Sequence, residues 1–346
     1  MSYVFEIRNP INRSEYNESV NVAYEIFKNS NKRSNFTKYF VEKNYKNIFI
    51  VLNKKSNKVI GFAFYVIRDL RIYKIKTKIA FISSICILKK YRNMRLSLQL
   101  INKCNEELQK KNVIFSAVIA SRKLDYFYNK LNFWGVSSFP QVCLIAKFFT
   151  KSEHNIKNSI CINYKDIMNV NKIYSKVYSN INGYFKRNNN YWNYIINKCK
   201  LEKLFFIKFT IRKKIIGYAI FDTANIYEMA TLDQKYYQEI LNLIFLKIRK
   251  NKVNFQTNYY HQINKNIADF DTYYSFRKIN FGGHLIKIIN KELFSYIFKN
   301  KISNFNFHNK SQKEIIEKFF NSEIINDKIK YTKSPKFFYI NYLDQI

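Results

Sequence analysis

The spacing of apolar residues along the chain changes repeatedly between a period of two, typical of strands, and a period near 3.6, typical of helices. In the first 150 residues the strand period covers 3–8, 47–52, 59–67, 79–88, 113–120 and 142–149. The helical period covers 14–29, 34–45, 96–110 and 123–130. This order predicts an α/β domain with a mixed sheet at residues 1–150.

The pattern restarts after a polar stretch at 151–159, which is the best candidate for a linker. Strands are predicted at 160–163, 204–211, 215–222, 226–232 and 253–259, with helical segments between the first two and at 236–250. Two short segments also recur, because 59–64 resembles 215–220 and 130–135 resembles 278–283. An internal repeat therefore predicts a second, related domain at 160–295. Residues 296–346 form a short C-terminal extension, with one helix at 311–320 and an aromatic tail.

Composition narrows the possible classes of protein. Apolar residues make up 47% of the chain and aromatic residues 18%, which is enough for real cores. No apolar run is long enough to predict a transmembrane helix, and no signal-peptide pattern is visible. The five cysteines are scattered and the four histidines do not cluster, which argues against a disulfide framework and against a metal site. We therefore expect a cytoplasmic protein without a bound metal.

The net charge of +36 favours an anionic partner such as nucleic acid, a membrane surface or a nucleotide cofactor. However, lysine far outnumbers arginine and is spread evenly, in a chain rich in Asn, Ile, Tyr and Phe and poor in Gly and Pro. An A/T-rich genome would produce the same bias. We therefore attribute most of the charge to composition and keep local basic clusters as candidates for function.

One such cluster follows the longest apolar run. The run at 79–88 ends in a basic turn at 89–95, and an amphipathic helix begins at once. The first N–H groups of a helix have no partners within the helix, and the helix dipole favours an anion there. A strand that delivers a helix N-terminus beside basic residues is a device for binding a pyrophosphate.

The order of strand, basic turn, helix, strand and aromatic helix resembles the core of the GNAT family of acetyl-CoA-dependent N-acyltransferases. The resemblance implies that the backbone of Ile85, Cys86 and Ile87 binds the acyl carbonyl and the pantetheine arm of the cofactor, acetyl-CoA. It also implies that the pyrophosphate is held by Arg92, Asn93, Met94, Arg95, Leu96 and Ser97. Arg95 and Ser97 replace the two glycines usual in the family, so backbone N–H groups can serve there if the loop avoids positive φ.

A second signature of the family comes after the next strand, where Ser121, Leu124, Tyr128 and 132–133 keep its spacing. The resemblance implies that Ser121 contributes to cofactor binding and that Tyr128 protonates the departing CoA thiolate. A phenol with a pKa of about 10 can serve as that proton donor. The alternative for Tyr128 is a core aromatic residue in a chain with 28 tyrosines.

The second copy lacks these features. Aligning 130–133 with 278–281 places Phe276 opposite Tyr128, so the proton donor would be missing. The turn at 230–235 lacks the basic cradle and has Asp233 where a phosphate would lie. We therefore expect a degenerate second domain that serves packing or acceptor binding.

One active and one degenerate GNAT domain in tandem resemble the enhanced-intracellular-survival type of N-acetyltransferase. In that type the terminal carboxylate acts as base, which by position would be Ile346. A frayed terminus is the alternative for Ile346.

These features predict an enzyme, an N-acetyltransferase that moves an acetyl group from acetyl-CoA to a small-molecule primary amine by direct attack. The basic surface favours an anionic acceptor, no membrane partner is expected, and a homo-oligomer stays open. One alternative is a catalytically inactive GNAT pair that acts as a scaffold, which the lost glycines support and Tyr128 opposes. Another is a nucleic-acid-binding protein, which would need a clustered basic stripe that the sequence lacks.

Overall fold

The computed structural model describes residues 4–27, 47–120, 122–135, 139–146, 155–160, 164–250, 252–256, 261, 263, 272–279, 284–301, 309–320, 322–325, 328–331 and 342–344. The strands are β1 (Phe5–Arg8), β2 (Ile48–Asn53), β3 (Lys58–Ile72), β4 (Ile75–Ile87), β5 (Phe115–Ile119), β6 (Trp134–Gly135), β7 (Phe139–Ala146), β8 (Lys157–Ile160), β9 (Tyr184–Phe185), β10 (Phe205–Ile211), β11 (Lys214–Phe221), β12 (Asn225–Thr231), β13 (Lys252–Gln256), β14 (Thr272–Ile279), β15 (His284–Ile288), β16 (Ser322–Ile325) and β17 (Lys328–Tyr331). The helices are α1 (Arg13–Phe27), α2 (Leu96–Lys110), α3 (Asp125–Asn129), α4 (Tyr164–Tyr178), α5 (Asn189–Leu201), α6 (Tyr237–Ile248), α7 (Lys291–Phe298) and α8 (Gln312–Phe320). The predicted helix at 34–45 lies outside the described residues.

Two mixed sheets form the architecture, and the α/β class expected from the sequence is confirmed. The first sheet has the order β1-β2-β3-β4-β5-β15-β6, with β9 added to the far end of β3. The second has the order β14-β7-β13-β12-β11-β10-β8. In each sheet one central pair is parallel, β4 with β5 and β12 with β13, and its other neighbours are antiparallel.

The two sheets exchange a strand. β7, which the sequence pattern placed at the end of the first domain, pairs with β13 and β14 in the second sheet. In return β15 pairs with β5 and β6 in the first sheet. A boundary at residue 150 therefore does not separate the hydrogen bonding of the two sheets. The local alternation that predicts a strand cannot tell which sheet edge it will join.

The exchange also corrects one expectation about the repeat. Phe276 lies in β14 and pairs with Val142, whereas Tyr128 lies in helix α3. The two residues are thus not equivalent. In contrast, the repeated glycines are equivalent, because Gly61 lies opposite Ile87 at the end of β4 and Gly217 lies opposite Thr231 at the end of β12. A Cβ atom at Gly217 would stand 2.9 Å from the carbonyl oxygen of Ala230.

Apolar residues form three buried clusters. One lies between the first sheet and α2, whose buried face is Leu96, Leu100, Ile101, Cys104 and Leu108. A second lies between the second sheet and α6. The third, the largest, joins the opposite faces of both sheets with α1, α4, α5, α7 and α8. The two halves therefore share a core, and the C-terminal helices are part of it. No described helix has the length and hydropathy to cross a bilayer.

A buried ion network ties the C-terminal segment to the second sheet. The Arg187 guanidinium donates to both carboxylate oxygens of Glu228 at 2.8 and 2.7 Å and to both of Asp344 at 3.0 and 2.9 Å. The Tyr218 hydroxyl donates to Glu228 at 2.6 Å, and the Tyr191 hydroxyl donates to Asp344 at 2.7 Å. The side chain of Arg187 is completely buried, so these bonds replace its hydration.

Candidate active site

A cleft opens between the two parallel strands at the centre of the first sheet. β4 and β5 pair only from Ile79 opposite Phe115 to Phe81 opposite Ala117, although β4 continues to Ile87. Beyond Phe81 the strands diverge, while β4 stays paired with β3 on its other side. The β5-facing edge of β4 therefore presents peptide groups that a bound molecule can pair with.

β4 also contains a bulge at this point. Phe64 lies opposite Ser83, and Phe62 lies opposite Cys86, so β4 has one residue more than β3 across the same distance. Ser84, inside the bulge, has a left-handed backbone with φ of 52°. A bulge turns the strand and redirects its peptide groups. The predicted cofactor-binding residues Ile85, Cys86 and Ile87 follow the bulge directly, whereas Ser84 was not selected from the sequence. The only sequence signal was the pair of serines inside an apolar strand.

The turn after β4 adopts the conformation that glycine would favour, although it contains none. A 3-10 helix at Lys89–Tyr91 leads into the turn, and Asn93 and Arg95 have φ of 70° and 56°. The sequence analysis made binding by these N–H groups conditional on a loop without positive φ, and Asn93 and Arg95 do not meet that condition. A left-handed residue costs about 1–2 kcal/mol when it carries a Cβ, less for asparagine. Such strain is concentrated at functional sites, where the surrounding structure enforces it.

Helix α2 starts from this turn without a cap of its own. Arg95 is the N-cap residue and makes no side-chain capping bond. Ser, Thr, Asp or Asn would normally accept a bond from the first turn of the helix at that position. The positive end of α2 is therefore directed at the turn without a protein oxygen from the N-cap residue.

Four exposed cations surround the turn: Lys89, Lys90, Arg92 and Arg95. None of them pairs with a carboxylate in the part of the chain that the structure describes. The Arg92 Nε atom donates to the carbonyl oxygen of Ile87 at 3.2 Å, which holds the turn against the end of β4. Helix end, bulge and cations together form a site for an elongated, anionic molecule.

Tyr128 lies on the same side of the sheet. It is 7% exposed and belongs to the apolar cluster that contains Ile87 and Leu96. Its ring packs edge-on against Phe127 and Phe133, with centroid distances of 5.0 and 6.0 Å. The structure thus brings Tyr128 into one cluster with the cleft and the turn. Two further predicted residues, Ser121 and Ile346, lie outside the described part of the chain.

The corresponding cleft in the second sheet is filled. β12 and β13 pair at Asn225–Asn254 and Ile226–Phe255, and β12 continues to Thr231 beyond this pairing. His261, which is fully buried, bonds through Nε2 to the carbonyl oxygen of Met229 at 2.9 Å. The Tyr178 hydroxyl donates to the same oxygen at 3.0 Å.

Counted back from the residue opposite the repeated glycine, Met229 corresponds to Ile85. Two side chains of the protein therefore bond to the Met229 carbonyl oxygen, whose counterpart beside the first cleft is the carbonyl oxygen of Ile85. Since a carbonyl only accepts, Nε2 of His261 carries the proton, and Nδ1 accepts from the backbone N–H of Ile263 at 3.2 Å. Burial lowers the pKa of His261 to about 4.

The second turn is closed as well. The Asp233 carboxylate accepts the backbone N–H of Lys235 at 3.2 Å, as the cap of the 3-10 helix that precedes α6. The Thr231 hydroxyl donates to the carbonyl oxygen of Asp233 at 2.6 Å. The Asp233 carboxylate thus lies in the second turn, where the first turn has cations, and it would repel a phosphate.

No group of three or more His, Cys, Asp or Glu residues suited to a metal ion occurs among the described residues.

Comparison with known proteins agrees with this geometry. The model of the Acetyltransferase (GNAT) family matches residues 8–133. No curated protein matches the chain. Among solved structures, a probable N-acyltransferase from Enterococcus faecalis has a TM-score of 0.65 at 13% identity, covering 85% of this chain and 74% of its own.

Two further solved structures are similar. A GCN5-related N-acetyltransferase from Anabaena variabilis has a TM-score of 0.65 at 14% identity, with 83% of this chain and 73% of that chain covered. The Eis1 protein from Mycobacterium abscessus has a TM-score of 0.57 at 11% identity, with 83% and 74% covered. At these identities the likeness shows the fold, and it extends over both halves of the chain.

Proposed function

We propose that the chain, whose residues 8–133 match the acetyltransferase (GNAT) family, is an N-acetyltransferase that uses acetyl-CoA and acetylates a primary amine of a small molecule. The observation that carries the proposal is the open first cleft, whose central strand is bulged, whose helix end is uncapped and whose turn is strained and basic. The filled second cleft supports assigning the chemistry to the first half alone.

In the proposed reaction the acyl-CoA lies with its thioester in the cleft between β4 and β5. Peptide groups of Ile85, Cys86 and Ile87 hold the pantetheine arm and polarise the thioester carbonyl. The pyrophosphate lies at the first turn of α2, between Arg92 and Ser97, where N–H groups and guanidinium groups meet it.

The acceptor amine attacks the thioester carbon, and a tetrahedral intermediate forms. As the carbon–sulfur bond breaks, the Tyr128 hydroxyl gives its proton to the CoA sulfur, and the amine loses a proton to solvent or to a base. The carboxylate of Ile346 is the candidate base. Alignment of amine and thioester supplies much of the rate. An anionic acceptor suits the surplus of basic residues.

Calorimetric titration of acetyl-CoA tests the cofactor site. We expect micromolar binding by the wild-type chain and roughly ten- to hundredfold weaker binding by Arg95→Asn, because a charged hydrogen bond to phosphate contributes about 1.5–3 kcal/mol. Asparagine tolerates the left-handed backbone, so this variant removes the charge without new strain. Lys235→Asn in the second turn is the matched control and should bind like wild type. Absence of binding at millimolar acetyl-CoA would contradict the proposal and favour a scaffold.

Kinetics test the role of Tyr128. Once an amine from a panel of primary amines releases CoA, Tyr128→Phe should lower kcat about 100-fold while acetyl-CoA affinity is retained, because only the proton donor is lost. Tyr126→Phe, on the exposed face of the same helix, should change neither quantity. An unchanged kcat in Tyr128→Phe would assign the tyrosine to packing alone.

A further inference from the structure

A second cavity lies far from the proposed acyl-CoA site. It has a volume of about 510 Å3 and is bounded by the C-terminal half of α2, the end of β15, and the first turns of α7 and α8. Asn105, on its wall, lies nine residues along α2 from Leu96, which is about 14 Å along the helix axis. The cavity is therefore separate from the turn at the start of α2.

Asn105 is the unusual member of this wall. It is 7% exposed, and neither its amide nitrogen nor its amide oxygen has a hydrogen-bond partner. A buried amide that lacks partners costs the free energy of its desolvation, about 1–3 kcal/mol. Its neighbours on the buried face of α2, Cys104 and Leu108, are apolar, so an apolar side chain would suit this position better in the absence of a ligand.

Lys287 supplies a cation to the same cavity. It is half-buried on β15, and no carboxylate pairs with it among the described residues. Its ammonium lies 5.9 Å from the centroid of the Phe133 ring, within the range of a cation–π contact. Burial lowers the pKa of Lys287, which is the response of an ammonium that has lost water without gaining an anion.

A third polar group lies beside Lys287. Ser116 on β5 is its register partner across the antiparallel ladder, so the two side chains project from the same face of the sheet toward α2. The Ser116 hydroxyl is fully buried and has no hydrogen-bond partner. Two buried polar side chains, Asn105 and Ser116, thus lack the hydrogen-bond partners that such groups normally have, and the half-buried Lys287 lies beside Ser116.

We propose that this cavity is a ligand site for a free α-amino acid, held by Asn105 and Lys287. The Lys287 ammonium donates to the carboxylate of the ligand. The Asn105 amide nitrogen donates to the same carboxylate, and the Asn105 amide oxygen accepts from the ligand's ammonium. Glu106 and Glu292 also border the cavity and provide negative charge for the ligand's ammonium. Ile288 and Ile289 offer an apolar surface to its side chain. Binding at this cavity would be independent of the proposed acetyltransferase activity.

Thermal unfolding with each of the standard L-amino acids at millimolar concentration tests the site. We expect at least one of them to raise Tm by a few degrees, since a ligand that binds only the folded state stabilises it by mass action. The corresponding amino acid amide should give no shift, because it lacks the carboxylate that Lys287 requires. Calorimetric titration should likewise detect binding of the amino acid and no binding of its amide.

Two variants and one control make the result specific. Asn105→Leu keeps the size of the side chain and removes the unpartnered atoms, so it should fold with an unchanged or higher Tm and lose the ligand-induced shift. Lys287→Met should lose the shift too. Lys110→Met, on the same helix but away from the cavity, should keep it. If no amino acid shifts Tm, or if the shift persists in Asn105→Leu and Lys287→Met, the proposal is overturned.

Discussion

The central strands of the two halves, β4 and β12, each lie between one antiparallel and one parallel partner, and each has a glycine opposite its last residue. They differ in whether side chains of the protein hydrogen-bond to the strand's peptide groups and cap the turn that follows it. In the second half, His261 and Tyr178 bond to the Met229 carbonyl, and Asp233 caps the turn. In the first half the strand is bulged, the turn is left-handed and basic, and the N-cap residue of α2 caps nothing. At matching positions, the second half thus has side chains that complete its own hydrogen bonding, whereas the first half leaves space for a ligand.

The largest expected effect comes from the network that supports the closed half. Arg187→Met leaves Glu228 and Asp344 buried without their cation, and the free energy of unfolding should fall by about 3–5 kcal/mol. Urea unfolding measures this change. Lys186→Met, the exposed neighbour, should remain within about 0.5 kcal/mol of wild type. A loss below 1 kcal/mol in Arg187→Met would contradict the idea that this network fixes the C-terminal segment to the second sheet.

Acid should also weaken the closed half. His261 has a pKa of about 4 in the folded chain and about 6.5 when unfolded. The unfolded state therefore binds the proton first, and stability is lost as the pH falls from about 6.5 to 4, by up to about 3 kcal/mol.

The variant His261→Gln isolates this contribution. Urea unfolding at pH 7 and at pH 4 should show a smaller loss in the variant than in wild type. His284, whose burial lowers its pKa to about 3, should contribute in the same direction, and His284→Gln is the comparison. Equal losses in wild type and His261→Gln would show that the histidine does not titrate as its burial requires.

A smaller effect should follow from opening the second turn. Asp233→Ala removes the cap before α6 and should cost about 1 kcal/mol in thermal unfolding. It should not create acetyl-CoA binding, because His261 and Tyr178 still occupy the Met229 carbonyl. Tighter acetyl-CoA binding by the double variant with Arg95→Asn than by Arg95→Asn alone would mean that the second cleft is only weakly closed.

The smallest effect should come from the first turn, with the opposite sign. Arg95→Gly relieves the left-handed strain but adds entropy to the unfolded chain, so stability should rise by no more than about 1 kcal/mol. Asn93→Gly should change less, because asparagine already tolerates this backbone. A decrease in stability in both variants would show that the positive φ angles are not a source of strain.

Local patterns determined a large part of this protein. The period of apolar residues located α2 at 96–110 and most strands within a few residues, and the repeated glycines marked equivalent points of two sheets. The strand, basic turn and helix at 79–95 identified the candidate site and its cations, because these depend on residue type and short-range spacing. Tyr128 was selected by its spacing from 132–133; the structure places it in the apolar cluster that contains Ile87 and Leu96, and its role as proton donor stays a prediction.

Only the tertiary structure decided the rest. The exchange of β7 and β15 depends on which sheet edge each strand meets, and alternation along one strand carries no information about its partner. The bulge at Ser84 and the positive φ of Asn93 and Arg95 arise because the neighbouring strands and α2 fix both ends of the segment, against the preference of the residues themselves. The histidine that closes the second cleft lies 32 residues beyond the carbonyl it binds, and the polar cluster of Asn105, Ser116 and Lys287 is assembled from a helix and two strands. Such sites depend on contacts between distant segments, which no local pattern encodes.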